Sequence, residues 1–121
     1  MTKKTIGLIE KVKVYGNGTY VEAEALADTG AKMTSIDIEL AGKAKLGPVT
    51  RIFKTRAPIT KEVDYRPVVK VRIEIKGKKF TVEANLNDRS HMKYPVLLGR
   101  NLLYGHFVVD VSKSPKDVKQ W

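Results

Sequence analysis

One short segment brings together the residue types that acid–base hydrolysis needs: Asp28-Thr29-Gly30-Ala31, where the small apolar run Ala25-Leu26-Ala27 ends. The glycine allows a tight turn and offers its backbone N–H to the carboxylate, while the threonine hydroxyl can reach a neighbouring strand. If two such turns meet about a two-fold axis, their carboxylates share one proton, because like charges that close cannot both ionise. One then serves as base and the other as acid. Together they can activate a water against a peptide carbonyl and protonate the leaving amine, with neither a metal nor a nucleophilic side chain. As a bare tripeptide, Asp-Thr-Gly is more often simply a turn, so the rest of the chain must decide.

The chain has 121 residues, of which 42% are hydrophobic, and this is enough for one core and one domain. A two-lobed site would therefore have to be completed by a second copy. No cysteine is present, which excludes disulfides, thiolate zinc sites, iron–sulfur ligation and cysteine nucleophiles. The two histidines, His91 and His106, read as surface residues rather than ligands. The N-terminus Met1 to Ile6 is basic without a following apolar run, and no stretch approaches the ~18 apolar residues of a membrane span. The expectation is a soluble, cytoplasmic protein without a membrane partner.

Lys and Arg number 23 against 13 Asp and Glu, a net charge of +10. The excess is uneven. Leu40 to Lys61 holds six cations and no acid, whereas Tyr15 to Glu39 holds five acids against Lys32.

The elements that must position Asp28 read mostly as strands. Ile6 to Tyr15 and Thr19 to Ala27 flank the turn residues Gly16-Asn17-Gly18. Met33 to Ile36 is extended, and Asp37 is expected to cap a short helix to about Ala44 through its carboxylate. Val68 to Ile75 alternates apolar and charged residues, Lys76-Gly77-Lys78 turns the chain, and Phe80 to Leu86 alternates again. A buried strand ending at Gly99, a helical turn from Arg100 to Tyr104 and a last strand from Phe107 to Val111 follow. The fold class is mainly β, barrel-like or sandwich-like, with one or two short helices.

The later segment Leu97-Leu98-Gly99-Arg100-Asn101-Leu102-Leu103 supplies the context. Together with Leu26-Ala27-Asp28-Thr29-Gly30-Ala31 it resembles the retropepsin-like aspartic proteases, which pair an Asp-Thr-Gly-Ala motif with a later Gly-Arg-Asn/Asp element. Further segments, Asp28 to Lys32, Arg66 to Val69, Leu86 to Arg89, Met92 and Phe107 to Asp110, resemble a cellular branch labelled ATP-dependent zinc protease and associated with ATP-grasp glutamate ligases. Asp37 stands where that branch is expected to carry a histidine, and Lys32 where retroviral enzymes often carry an acid.

The resemblance implies a small closed barrel over residues 1–111, with 112–121 a polar tail. It implies a homodimer in which each subunit supplies Asp28, Thr29 and Gly30, and a hairpin flap between Val49 and Tyr65. Ala31, Gly99, Arg100 and Asn101 are its substrate-binding or supporting residues, with Arg100 read as a buried anchor of the turn or dimer. Neither a zinc-type ligand spacing nor a phosphate-binding Gly-rich Lys-Ser/Thr loop occurs, so no metal or cofactor is expected.

The reading is an aspartic endopeptidase acting on peptide or protein substrates, with acidic or glutamate-rich peptides favoured by the basic segment and an optimum on the acidic side or near neutral. A second reading is a catalytically lapsed basic module that binds acidic protein or nucleic acid. Nucleic acid ranks below an acidic substrate, because the positive charge is concentrated between Leu40 and Lys61 beside the expected cleft while the segment leading into Asp28 is acidic; the absence of a clustered stacking platform also argues against single-strand binding. A third is metal-dependent hydrolysis by Asp28 with His91 or His106.

Overall fold

The computed structural model describes residues 2–113. Its elements in chain order are β1 (Lys4–Gly7), β2 (Ile9–Tyr15), β3 (Tyr20–Ala27), β4 (Thr34–Asp37), α1 (Ile38–Ala44), β5 (Val49–Arg56), β6 (Val63–Ile75), β7 (Lys78–Asn87), β8 (Val96–Leu98), α2 (Arg100–Leu103) and β9 (Phe107–Asp110), followed by a 3-10 turn over Val111–Lys113. The expected domain limit at residue 111 falls within that turn. The rest of the expected tail, from residue 114, lies outside the described residues.

Six strands close into a barrel in the order β2-β3-β8-β4-β7-β6, with β6 returning to β2. The fold class is therefore the expected one: mainly β, a closed barrel with two short helices. Alternation drives the closure. Val69, Val71, Ile73 and Ile75 on β6 point inward against Val12, Val14, Ala84, Ile36, Val96 and Leu98, all buried, while Lys70 and Arg72 point out. Each fully buried branched side chain contributes roughly 1.5–3 kcal/mol relative to exposure.

Where the sequence suggests one strand from Ile6 to Tyr15, the chain breaks at Gly7–Leu8 and changes sheet. β1 pairs in parallel with β9, and β2 enters the barrel against β3. Gly7 explains the break: a Cβ there would lie 2.3 Å from the Lys113 carbonyl oxygen, so only glycine lets the two segments approach.

The Val49 to Tyr65 segment forms the expected hairpin, β5 against β6. Its departure from the barrel has a local cause. The β6–β7 ladder runs from Ile75↔Lys78 only to Val68↔Asn85, and the next β6 residue, Pro67, has no N–H to continue it. Beyond Pro67 the hairpin continues as a two-stranded ribbon through Ala57 to Glu62, and Ile59 at its tip is 93% exposed.

Asp37 does not cap α1 as expected. It occupies the N-cap position, but its carboxylate makes no bond to the helix start. Instead Asp37 Oδ1 accepts the Arg89 backbone N–H at 2.7 Å, because the loop after β7 comes closer than the helix's own amides. Among the described residues no helix is long and apolar enough to cross a membrane.

Candidate active site

β8 lies between β3 and β4, parallel to the first and antiparallel to the second. The chain from Ala27 to Thr34 must therefore loop around the end of β8, and Asp28 sits where that loop begins. Its N–H donates to the Leu98 carbonyl at 2.9 Å, which extends the β3–β8 ladder by one residue. Asp28 is half-buried, and its Oδ1 accepts the Gly30 N–H at 2.9 Å. No bond to Oδ2 is found among the described residues, so the carboxylate is fixed by one oxygen and leaves the other presented.

Residues 99–101 lace this loop from behind. Arg100 N–H donates to Ala31 O at 2.8 Å and Asn101 N–H to Lys32 O at 3.2 Å, while an Arg100 Nη donates to Thr29 O at 3.1 Å. Asn101 Oδ1 accepts both the backbone N–H and the hydroxyl of Thr34 at 2.9 Å, and its Nδ2 donates to Glu83 O at 2.7 Å on β7. The Thr34 hydroxyl in turn accepts the Gly99 N–H at 3.1 Å. All seven residues singled out in the sequence, Asp28, Thr29, Gly30, Ala31, Gly99, Arg100 and Asn101, thus meet at one place.

Two details differ from expectation. Arg100 is exposed rather than buried, reaching the turn along its surface. Thr29 contributes its carbonyl, and its exposed hydroxyl has no bond among the described residues. The hydroxyl that ties neighbouring segments together belongs to Thr34.

Asn101→Ala removes three of these bonds and leaves the Thr34 N–H and the Glu83 carbonyl without their partner. The expected cost is about 2 kcal/mol, read as a lowered midpoint in urea unfolding with an unchanged slope.

Beside the turn opens a cavity of about 270 Å³, lined by Ala31, Lys32, Met33, Ser35, Phe53, Thr55, Arg66, Asn85, Arg89 and Leu97. Phe53 and Thr55 come from the hairpin ribbon, so the cavity lies between ribbon and barrel. No role for Arg66, Ser35, Asn85 or Arg89 follows from the sequence, although Arg66 and Arg89 stand in the resembling segments.

Arg89 is only 7% exposed. Its Nε donates to the Tyr94 carbonyl at 3.1 Å, and no partner for its Nη groups is found among the described residues. Arg66 donates through Nε to Asp64 and through Nη1 to Asn85 Oδ1, whose amide group also receives the Ser35 hydroxyl at 2.6 Å. Burial, and the like charge of Arg66, hold the Arg89 guanidinium below the ordinary arginine value, while Asp37 and Asp28 pull it back up. A guanidinium so placed stays charged, and the cavity is cationic.

His91 lies exposed in a separate groove, and His106 packs its ring on Phe80 at 4.9 Å between centroids. No group of three His, Asp or Glu side chains converges to hold a metal ion among the described residues, so the donor set does not fit a zinc centre.

A closed six-stranded barrel whose Asp-Thr-Gly loop is laced by a Gly-Arg-Asn turn defines the retropepsin-like fold. A family model described as RimB-like, retropepsin-like aspartic endopeptidase, matches residues 43–120, and the chain belongs to that family. The matched span includes Arg66, Arg89 and the Gly99-Arg100-Asn101 turn but begins after Asp28.

Among solved structures, a Legionella pneumophila protein of unknown function is similar at a TM-score of 0.64 and 21% identity, covering 95% of this chain and 98% of that one. The simian foamy virus protease is similar at 0.54 and 16%, covering 78% and 91%. A foamy viral protease-reverse transcriptase in complex with an RNA/DNA hybrid gives the same 0.54 and 16%, covering 78% of this chain and 11% of that one. These identities carry the fold alone. No curated protein matches.

Proposed function

We propose that the protein is a homodimeric aspartic peptidase in which two copies of the 1–111 domain each contribute one Asp28. The observation that carries this reading is the Asp28 carboxylate itself, fixed through Oδ1 by Gly30 N–H, with Oδ2 presented and the loop braced by residues 99–101. Two such carboxylates about a two-fold axis share one proton and hold one water.

In the first step the ionised carboxylate takes a proton from the water as its oxygen attacks the peptide carbonyl, and the protonated carboxylate gives its proton to the carbonyl oxygen. In the second the carboxyl that took the water proton gives it to the amine nitrogen as the C–N bond breaks, and the other carboxylate takes a proton from a hydroxyl of the tetrahedral intermediate, so the pair ends singly protonated as it began. Thr29 and Gly30 shape the turn, while Ala31, Gly99, Arg100 and Asn101 support it.

The substrates are acidic peptides, glutamate-rich ones first. Lys32, Arg66 and Arg89 line the cavity beside Asp28, and a substrate carboxylate there would meet the Nη groups of Arg89, which have no partner among the described residues. The resemblance to the branch associated with ATP-grasp glutamate ligases supports the same substrate class.

Digestion of a glutamate-rich peptide and of its glutamine counterpart tests this. Wild type is expected to favour the acidic peptide by about 10- to 100-fold in kcat/KM, and Arg89→Met to lose that preference while still cleaving the glutamine peptide. Equal cleavage of both peptides by wild type would contradict the acidic specificity, and cleavage of neither would contradict the peptidase reading.

A further inference from the structure

At the far end of the barrel from Asp28 is a second cleft, of about 480 Å³, formed where the β2–β3 turn, the end of α1 and the middle of β6 meet. β3 runs from Tyr20 beside this cleft to Ala27 beside Asp28, which at ~3.3 Å per residue separates the two by about 23 Å. The cleft is built from fixed backbone. A Cβ on Gly16 would lie 1.5 Å from the Ala44 carbonyl oxygen, Asn17 N–H donates to Lys45 O at 3.3 Å, and Lys45 is held in the left-handed conformation at φ 57°.

Three cations line it, Lys45, Lys70 and Arg72, and none forms an ion pair among the described residues, although Arg51 and, more weakly, Lys70 lower the Glu83 carboxyl. The pattern of strand pairing explains why. Arg72 lies opposite Tyr15 on one side and Thr81 on the other, neither charged. Lys70 lies opposite Glu83, but that carboxylate is taken by two bonds from Arg51, at 3.1 and 3.0 Å. Lys45 follows the helix end. Glu74, the acid nearest in register, accepts the Tyr15 hydroxyl at 2.7 Å and faces Lys13 and Lys79 across the strands.

The same face holds an aromatic pair. Tyr15 and Tyr20 are cross-strand partners with ring centroids 5.3 Å apart, and Tyr20 is 48% exposed. Lys79 stands 4.8 Å from the centroid of the first ring and Lys13 5.1 Å from that of the second. Five cations from β2, β6, β7 and the loop after α1 thus surround two tyrosines that are separate in the chain. Cations gathered beside a tyrosine pair, one ring of which is exposed, are the combination that takes a single strand. An acidic peptide would use the cations but has no group that needs the rings.

We propose that this cleft docks single-stranded nucleic acid, separately from the peptidase centre. Fluorescence anisotropy with a labelled 12-nucleotide oligouridylate tests it, using the whole chain across a salt series. Three phosphate contacts predict that log affinity falls with log salt at a slope of about −2. The Lys45→Ala/Lys70→Ala/Arg72→Ala variant is expected to bind at least ~10-fold more weakly with a clearly shallower slope. The charge-matched variant Lys54→Ala/Arg56→Ala/Lys61→Ala on the hairpin should stay within about threefold of wild type. All six side chains are exposed, and circular dichroism verifies that both variants fold.

The first triple variant should also cleave peptides as wild type does, which keeps this proposal separate from the peptidase reading. Absence of binding at low salt, or equal weakening in both triple variants, would overturn it. So would displacement of the oligonucleotide by oligoglutamate at equal charge concentration, which would make the cleft a surface for acidic protein instead.

Discussion

Asp28→Asn is expected to abolish peptide cleavage, with kcat falling by about 10³-fold or more, while the barrel keeps its stability. An asparagine Oδ1 can still accept the Gly30 N–H, and the Asp28 N–H bond to Leu98 O is unchanged, so the loop retains its shape. What is lost is the ability to take or give a proton. Because the proposed pair would work through one ionised and one protonated carboxylate, an amide on either side could not complete the cycle. Chromatographic separation of peptide products gives the rate, and thermal unfolding with sedimentation verifies that fold and assembly persist. Cleavage surviving in a homogeneous Asp28→Asn preparation would place the chemistry elsewhere.

Gly99→Ala is expected to cause the largest structural loss at the candidate site. A Cβ at this position would lie 2.4 Å from the Met33 carbonyl carbon and 2.7 Å from both the Met33 oxygen and the Thr34 nitrogen. These are backbone atoms of the segment that carries the Asp28 loop into β4, so no side-chain rotation relieves the clash. Either β8 or the loop must move, and Gly99 N–H to Thr34 Oγ1 and Arg100 N–H to Ala31 O must lengthen. Overpacking of this kind costs about 3 kcal/mol, equivalent to a Tm lower by roughly 12 °C in a domain this size. Calorimetry measures the shift, and activity should fall further than stability alone requires, because Asp28 is displaced with its brace. A Tm within about 2 °C of wild type would contradict this packing.

Much of this was legible in the chain because it is encoded locally. The alternation of Val69 to Ile75 and of Phe80 to Leu86 gives β6 and β7, and Lys76-Gly77-Lys78 makes their turn, Lys76 and Gly77 both with positive φ. Asp28 to Ala31 and Gly99 to Asn101 are short enough to be read as motifs, and the barrel brings them together. What was not legible depends on distant partners. The break at Gly7 is set by Lys113, more than a hundred residues away in the chain, and Asp37 prefers Arg89 N–H over its own helix for the same reason.

Arg89 carries no local signal of burial, since a charged residue in a polar loop ordinarily faces water. Its cavity exists only because Pro67 releases the ribbon that brings Phe53 and Thr55 across. The tyrosine pair is local, since Tyr15 and Tyr20 flank the expected turn Gly16-Asn17-Gly18, but the five cations beside it come from four separate segments and carry no local signal.

The central claim is that a working site takes one Asp28 from each of two chains, and subunit mixing tests it most directly. Wild type at fixed concentration is allowed to exchange with increasing Asp28→Asn protein before cleavage of a glutamate-rich peptide is measured. A shared site predicts that activity falls towards zero as wild-type chains are drawn into mixed pairs. Activity that stays constant under a large excess of the inert chain would show a site complete within one subunit and would contradict the account.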